Sequence, residues 1–360
     1  MKHKLAILEM LRGAAASYVV AGHVFIPALG LRGAAALPLL FGQEAVIAFF
    51  LLSGFVIYYS THGHRDQSFR GYFLRRFLRI YPVFLLALVL SCTTEVLRGY
   101  PLVPWREIAG NALMLQDFSL GKPGVWFNAC GGNVPLWSLS YEWWFYLLFF
   151  PLYKYVPPRW QLPVVAALST SGLATFALWP NQASLFLMYF ILWWTGLELA
   201  RAYTDGVRPT PRNQRKLVLV LGGMCALVGG VLLFGTERPA RLSPGMHPLL
   251  EIRHFAAGFV LLCGGLLWSQ LRWRGFAAIF GVFALLAPIS YAIYVFHFPL
   301  WKYLSEASWV PGGTAGRVAV TLLLTLILAW IAEGPFQRAV NRLARNRESR
   351  PSTGLAPAES

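Results

Sequence analysis

The chain has 360 residues, of which 57% are apolar and only 13% charged, with a mean hydropathy of +0.53. That balance excludes a disordered chain and an ordinary soluble globule, and the repeated apolar runs indicate an all-α, polytopic membrane protein. A net charge of +16 would suggest nucleic acid for a soluble protein, but here it speaks to membrane topology, and no nucleic-acid partner is expected.

Ten apolar runs read as membrane spans, near 8–29, 41–60, 80–97, 137–153, 161–179, 184–200, 217–235, 254–270, 287–304 and 314–333. The stretch after MKHK is of full spanning length and is interrupted by Arg12, so no signal peptide is expected. The run 275–286, GFAAIFGVFALL, is too short to span and reads as interfacial or re-entrant. Cytoplasmic loops collect Lys and Arg. With the amino terminus inside, 21 of the 31 basic residues fall on inner segments, which places both termini in the cytoplasm. The outer connection 98–136 is rich in Gly, Pro and Trp and is expected to fold over the mouth of the bundle. Residues 1–340 form one membrane domain, and 341–360 read as a polar, disordered cytoplasmic tail. Cys92, Cys130, Cys225 and Cys263 are scattered and fit neither a zinc site nor a CxxC pair, so no metal is expected. LRGAAA occurs at 11–16 and again at 31–36, which reads as coincidence in Ala- and Gly-rich sequence.

Several polar residues inside the spans need a reason. Arg12 and His23 are eleven apart in the first span, close to three helical turns, or roughly 16 Å along one face. Ionisable groups in a span usually face the protein interior or a wet cavity. The alternative has Arg12 reaching the headgroups and His23 hydrogen-bonded in the core. In the second span, FFLLSGFVIYY, Ser53 and Gly54 lie mid-membrane, where small residues let helices approach. No nucleophile elbow surrounds Ser53. Next, SFRGYFLRRFLRIYP presents Arg75, Arg76 and Arg79 together on a helix. Guanidinium groups bind phosphate in a bidentate way, which suits a soluble polyanion such as coenzyme A; a positive flank on anionic lipid is the alternative. Glu142 stands a turn inside the fourth span among aromatics, as counter-charge to an arginine or imidazolium, or in a structural ion pair. In the ninth span, Tyr291, Tyr294 and His297 recur at steps of three and form a polar edge, either catalytic or an interhelical contact. Glu333, beside Pro335, closes the tenth span and either pairs with the basic first loop or marks the interface.

Together these segments resemble the acyltransferase-3 family of integral membrane O-acyltransferases. The resemblance runs from LRGAAASYVVAGHVF to AEGPF. It includes the Arg-x10-His pair Arg12 and His23, FFLLSGF, RFLRIYP with Arg76 and Arg79, LWSLSYEWWFYL with Glu142, and SYAIYVFHFPL with His297. It implies O-acylation, commonly acetylation, of a sugar hydroxyl using acyl-CoA as donor substrate, with no permanently bound cofactor. His23 then becomes the leading catalytic residue, with Arg12 its companion and Glu142 orienting it or stabilising its imidazolium. Arg76 and Arg79, with Arg75 beside them, become the donor-binding cluster. His297, Tyr294, Glu333 and Ser53 are supporting candidates. The 360 residues show none of the SGNH hydrolase-like domain that some members append, so the chain resembles the stand-alone members. Their acceptors are exopolysaccharide, lipid-linked glycan, lipochitin oligosaccharide or macrolide. The expected setting is the bacterial inner membrane, with a homo-oligomer or polysaccharide-assembly proteins as further partners. A glycan flippase, using the same charges as a substrate path, is the reading from another class; clear inverted repeats would favour it, and none is found.

Overall fold

The computed structural model describes residues 2–234 and 243–348. Its principal elements are helices α1 (Lys2–Ala28), α2 (Gly42–His62), α3 (Phe69–Leu97), α4 (Trp105–Ala112), α5 (Trp137–Tyr155), α6 (Pro158–Leu178), α7 (Gln182–Thr204), α8 (Arg215–Phe234), α9 (Leu249–Gln270), α10 (Phe276–Phe280), α11 (Ser290–Ser305), α12 (Gly313–Ile331) and α13 (Gln337–Glu348). A parallel pair of two-residue strands, β1 (Gln116–Asp117) and β2 (Phe127–Asn128), lies between α4 and α5. This is an all-α polytopic membrane protein. Among the described residues, seven helical stretches are long and apolar enough to cross a bilayer, and eight if the pair Phe276–Leu285 and Ala287–Ser305, bent by 50°, is one span. Two of the ten anticipated spans, α1 and α5, are not among these. Both have spanning length, but Arg12 and His23 reduce the apolarity of the first, and Trp, Tyr and Glu142 that of the second.

Polar contacts sort the helix ends into two sets. At one end Arg79 of α3 pairs with Glu333 after α12, Arg201 of α7 bonds Gln161 of α6, and Arg208 donates to the Ser269 and Gln270 carbonyls of α9. At the other, Lys302 of α11 pairs with Glu95 of α3, and Arg253 of α9 pairs with Glu44 of α2. The first set holds the Arg-rich segments and is called the basic end here; the second is the far end. Chain direction alternates between them from α1 to α12.

The tightest crossing is α2 on α7. A Cβ on Gly54 would lie 2.0 Å from the Trp193 carbonyl oxygen, and one on Gly196 would lie 1.8 Å from that of Leu51. Only glycine permits this approach, as small residues do in membrane packing generally. The segment 276–285 lies against α1, with Gly13 meeting the Phe283 carbonyl in the same way.

Three expectations are corrected. The third helix begins at Phe69 rather than near 80, so Arg75, Arg76 and Arg79 stand within it, not in a preceding flank. Ser68 caps that start by accepting from the Gly71 N–H. The supposed tail is helical as far as Glu348, because its run of Arg, Ala and Leu favours helix; residues 349–360 lie outside the described residues. The connection 98–136 does more than cover the bundle: Asn111, Gln116, Asp117, Lys122, Cys130 and Asn133 are all buried. The second LRGAAA copy falls in loop and 3₁₀ turn, unlike the first, so context rather than sequence decides its structure.

Candidate active site

A cavity of about 140 Å³ lies between α1, α2, α3, α5 and α11. Arg12, Ser53, Arg76, Arg79, Glu142, Tyr291 and Tyr294 line it, so seven of the residues singled out from sequence meet there. Glu142 and Tyr146 stand one turn apart on α5 and share a face. The Tyr146 hydroxyl donates to Glu142 Oε1, as does Ser53 Oγ from α2 at 2.6 Å. Trp193 Nε1 of α7 donates to Ser53 Oγ at 3.1 Å. The Gly54 crossing brings that indole close enough. Ser53 therefore orients a carboxylate, in keeping with the absence of a nucleophile elbow.

The arginines have unequal partners. Arg12 Nη2 donates to the Ala287 carbonyl and to Ser290 Oγ, both at 3.3 Å. Arg79 Nη1 lies 2.5 Å from Glu333 Oε2, while Glu333 Oε1 accepts the Ala292 N–H at 3.1 Å. That carboxylate joins α3 to the start of α11, where free helix N–H groups favour an anion. Glu333 thus pairs with the basic segment that follows the second span, as expected, and the structure places that segment's Arg79 inside α3. Arg76 is left with a single long bond, Nη2 to Ser60 Oγ at 3.5 Å, and its buried Nε has no hydrogen-bond partner.

A second, larger hollow of about 650 Å³ opens at the basic end. Arg75, Arg76, Arg79 and, from α13, Arg345 line it. Arg76 and Arg79 belong to both hollows and form the neck between them. Arg75 lies 3.7 Å from Asp66 at the rim. Hydrogen bonds from the Ser68 backbone and hydroxyl, with a smaller contribution from Arg75, hold the exposed Asp66 carboxyl below its ordinary range.

His23 and His297 are not among the cavity-lining groups; they face one another beside it. Their rings stack with centroids 5.2 Å apart, and His23 Nδ1 lies 2.9 Å from His297 Nε2. His297 Nδ1 lies 3.0 Å from the Ile293 carbonyl, which only accepts, so Nδ1 carries that ring's hydrogen. With both rings neutral, His297 Nε2 then accepts from His23 Nδ1–H. The remaining nitrogen of His23, Nε2, is left with its lone pair. This tautomer assignment follows from the partners. Tyr294 separates the histidines from the cavity: it lines the cavity, its ring lies 6.3 Å from that of His297, and its hydroxyl bonds Ser138 and the Pro135 carbonyl. The orienting partner of His23 is thus His297 rather than Glu142, whose hydrogen bonds go to Ser53 and Tyr146.

Sequence reading missed Tyr146, Ser290 and Arg345. The first had a signal, four residues beyond Glu142; the others depend on where distant segments pack.

These features define a membrane protein with a charged internal cavity, an arginine-lined approach and a paired histidine. The family model described as an acyltransferase domain, Acyl_transf_3, matches residues 5–334, and the chain belongs to the acyltransferase-3 family. It is also similar to acyltransferase MdmB of Streptomyces mycarofaciens, with 35% identity over 126 residues, 33% of this chain. The match spans only 31% of that relative's length. No solved structure matches the chain.

Proposed function

We propose that the protein is a membrane O-acyltransferase that moves an acyl group, most simply acetyl, from coenzyme A to a hydroxyl of an exopolysaccharide or lipid-linked glycan. The observation that carries this reading is the junction of two hollows through Arg76 and Arg79. The outer hollow offers guanidinium groups for the donor's phosphates. The inner one is narrow and suits a thioester arm and a short acyl group. The basic end faces the cytoplasm in this reading, where Lys and Arg collect and where acyl-CoA is made. The setting is a bacterial cytoplasmic membrane.

His23 acts as general base. In this reading the thioester arm reaches past Tyr294 to the histidine pair, where the free Nε2 of His23 takes the acceptor hydroxyl proton as the oxygen attacks the thioester carbonyl; the ester forms, the C–S bond breaks, and CoA thiolate leaves to be protonated. His297 holds the productive tautomer. Arg12 balances charge at the cavity wall.

Release of free CoA from acetyl-CoA by purified protein, with and without glycan acceptor, tests this directly. General-base loss typically costs about 10²–10⁴-fold, so His23→Ala should reduce turnover by that range in folded protein. Undiminished turnover in His23→Ala would refute the assignment.

A further inference from the structure

Cys92 and Cys130 lie at the far end, thirty-eight positions apart, and meet across the junction of α3 with the connection to α5. Their sulfurs are 3.1 Å apart, about 1 Å beyond the roughly 2.05 Å of a disulfide. Cys130 is buried and Cys92 half-buried. The backbone around them is fixed. Residues 129–133 form a short strap held from both sides: Asn133 Nδ2 donates to Ser91 Oγ and to the Val295 carbonyl, each at 3.0 Å. Lys302 Nζ bonds the Gly131 carbonyl at 3.1 Å and Glu95 at 2.8 Å. Gly131 takes a φ of 58° directly against the Ser91 carbonyl, a close approach that a side chain would block. The strap therefore ties α3 to α11 at positions flanking His297.

We infer that Cys92 and Cys130 are joined by a disulfide in the mature protein. The far end faces away from the cytoplasm in the orientation proposed above, and disulfides persist in such compartments. The oxidant is the disulfide of a thiol oxidase of that compartment. One cysteine thiolate attacks it, the second resolves the mixed disulfide, and both thiol protons and the electron pair pass to the oxidase as a dithiol. Because the folded strap buries Cys130, the bond forms as the strap docks. Cys225 and Cys263 stand on α8 and α9 and remain thiols.

The test is thiol alkylation of the full-length protein in its native membranes, with denaturation in excess maleimide reagent and no reductant, followed by peptide mass analysis. Two cysteines, Cys225 and Cys263, should label, with the peptides holding Cys92 and Cys130 recovered as one linked species lacking two hydrogens. Prior reduction should raise labelling from two to four, and Cys130→Ser should release Cys92 to the reagent. Labelling of all four without reduction would overturn the inference. The readout involves no acyl transfer, so this result and the acyltransferase reading succeed or fail independently; the disulfide rests only on the orientation.

Discussion

Lys122 and Arg76 are both cations within the bundle, but their surroundings differ. Lys122, on the long connection, lies 3.1 and 3.3 Å from the two oxygens of buried Asp117 and 3.2 Å from the Tyr141 hydroxyl. Its ammonium also sits 3.9 Å from the Trp137 ring centre and 4.6 Å from that of Tyr141. Every donor direction is answered, and the site is sealed. Arg76 has one long hydrogen bond, a ring contact with Tyr72 at 5.8 Å, an unpartnered Nε and two hollows beside it. A buried charge with full partners fixes architecture; one left short of partners is held ready for a ligand. Lys122 pins the connection into the bundle, and in the function proposed above Arg76 is the cation that meets the donor's phosphates.

Substitutions should separate these two roles. The largest effect belongs to Lys122→Met. It leaves Asp117 buried without its cation and should destabilise the protein by about 3–5 kcal/mol, seen as a lower thermal midpoint with little change in donor KM for the folded fraction. Gly54→Ala follows. The added methyl meets the Trp193 carbonyl and should cost about 1–3 kcal/mol, measured by the same unfolding assay, and it should disturb the Ser53–Glu142 contact by parting α2 from α7. Arg76→Gln should act in the opposite sense. Loss of a charge-assisted phosphate contact, about 1.5 kcal/mol or more, should raise donor KM roughly tenfold while the thermal midpoint holds or rises. Arg75→Gln should do least: its partner Asp66 is exposed at the rim, where solvent screens the pair, so only a small rise in KM is expected. A large fall in midpoint for Arg76→Gln would erase the distinction between the two cations.

The helical class, the polar residues of the cavity and the arginine cluster were legible because each contradicts its surroundings: charge in an apolar run, or three arginines on one helix face. Seven of those residues meet at one cavity. The partners were less legible. Glu142 sits in sequence among aromatics that give no hint of Ser53, and the Glu333–Arg79 pair joins residues far apart in the chain. The histidine pair was half visible: His23 and His297 were each noted, but their contact depends on α1 packing against α11. The sealed Lys122 site was not legible, because Gly, Pro and Trp in a long connection suggest exposure, whereas its burial depends on partners such as Asp117 and Tyr141 that only the folded connection brings together. The cysteines were discounted on spacing, and only the docking of the strap brings two of them together.

Whether Arg76 holds the donor can be read from ligand-dependent thermal unfolding. Purified protein in detergent is heated with and without acetyl-CoA, alongside Arg76→Gln. A ligand at a hundred times its Kd stabilises the folded state by about 2.7 kcal/mol. A rise of several degrees is expected for the wild-type chain, largely lost in Arg76→Gln at the same concentration. No rise in the wild-type chain, or an equal rise in both, would contradict it.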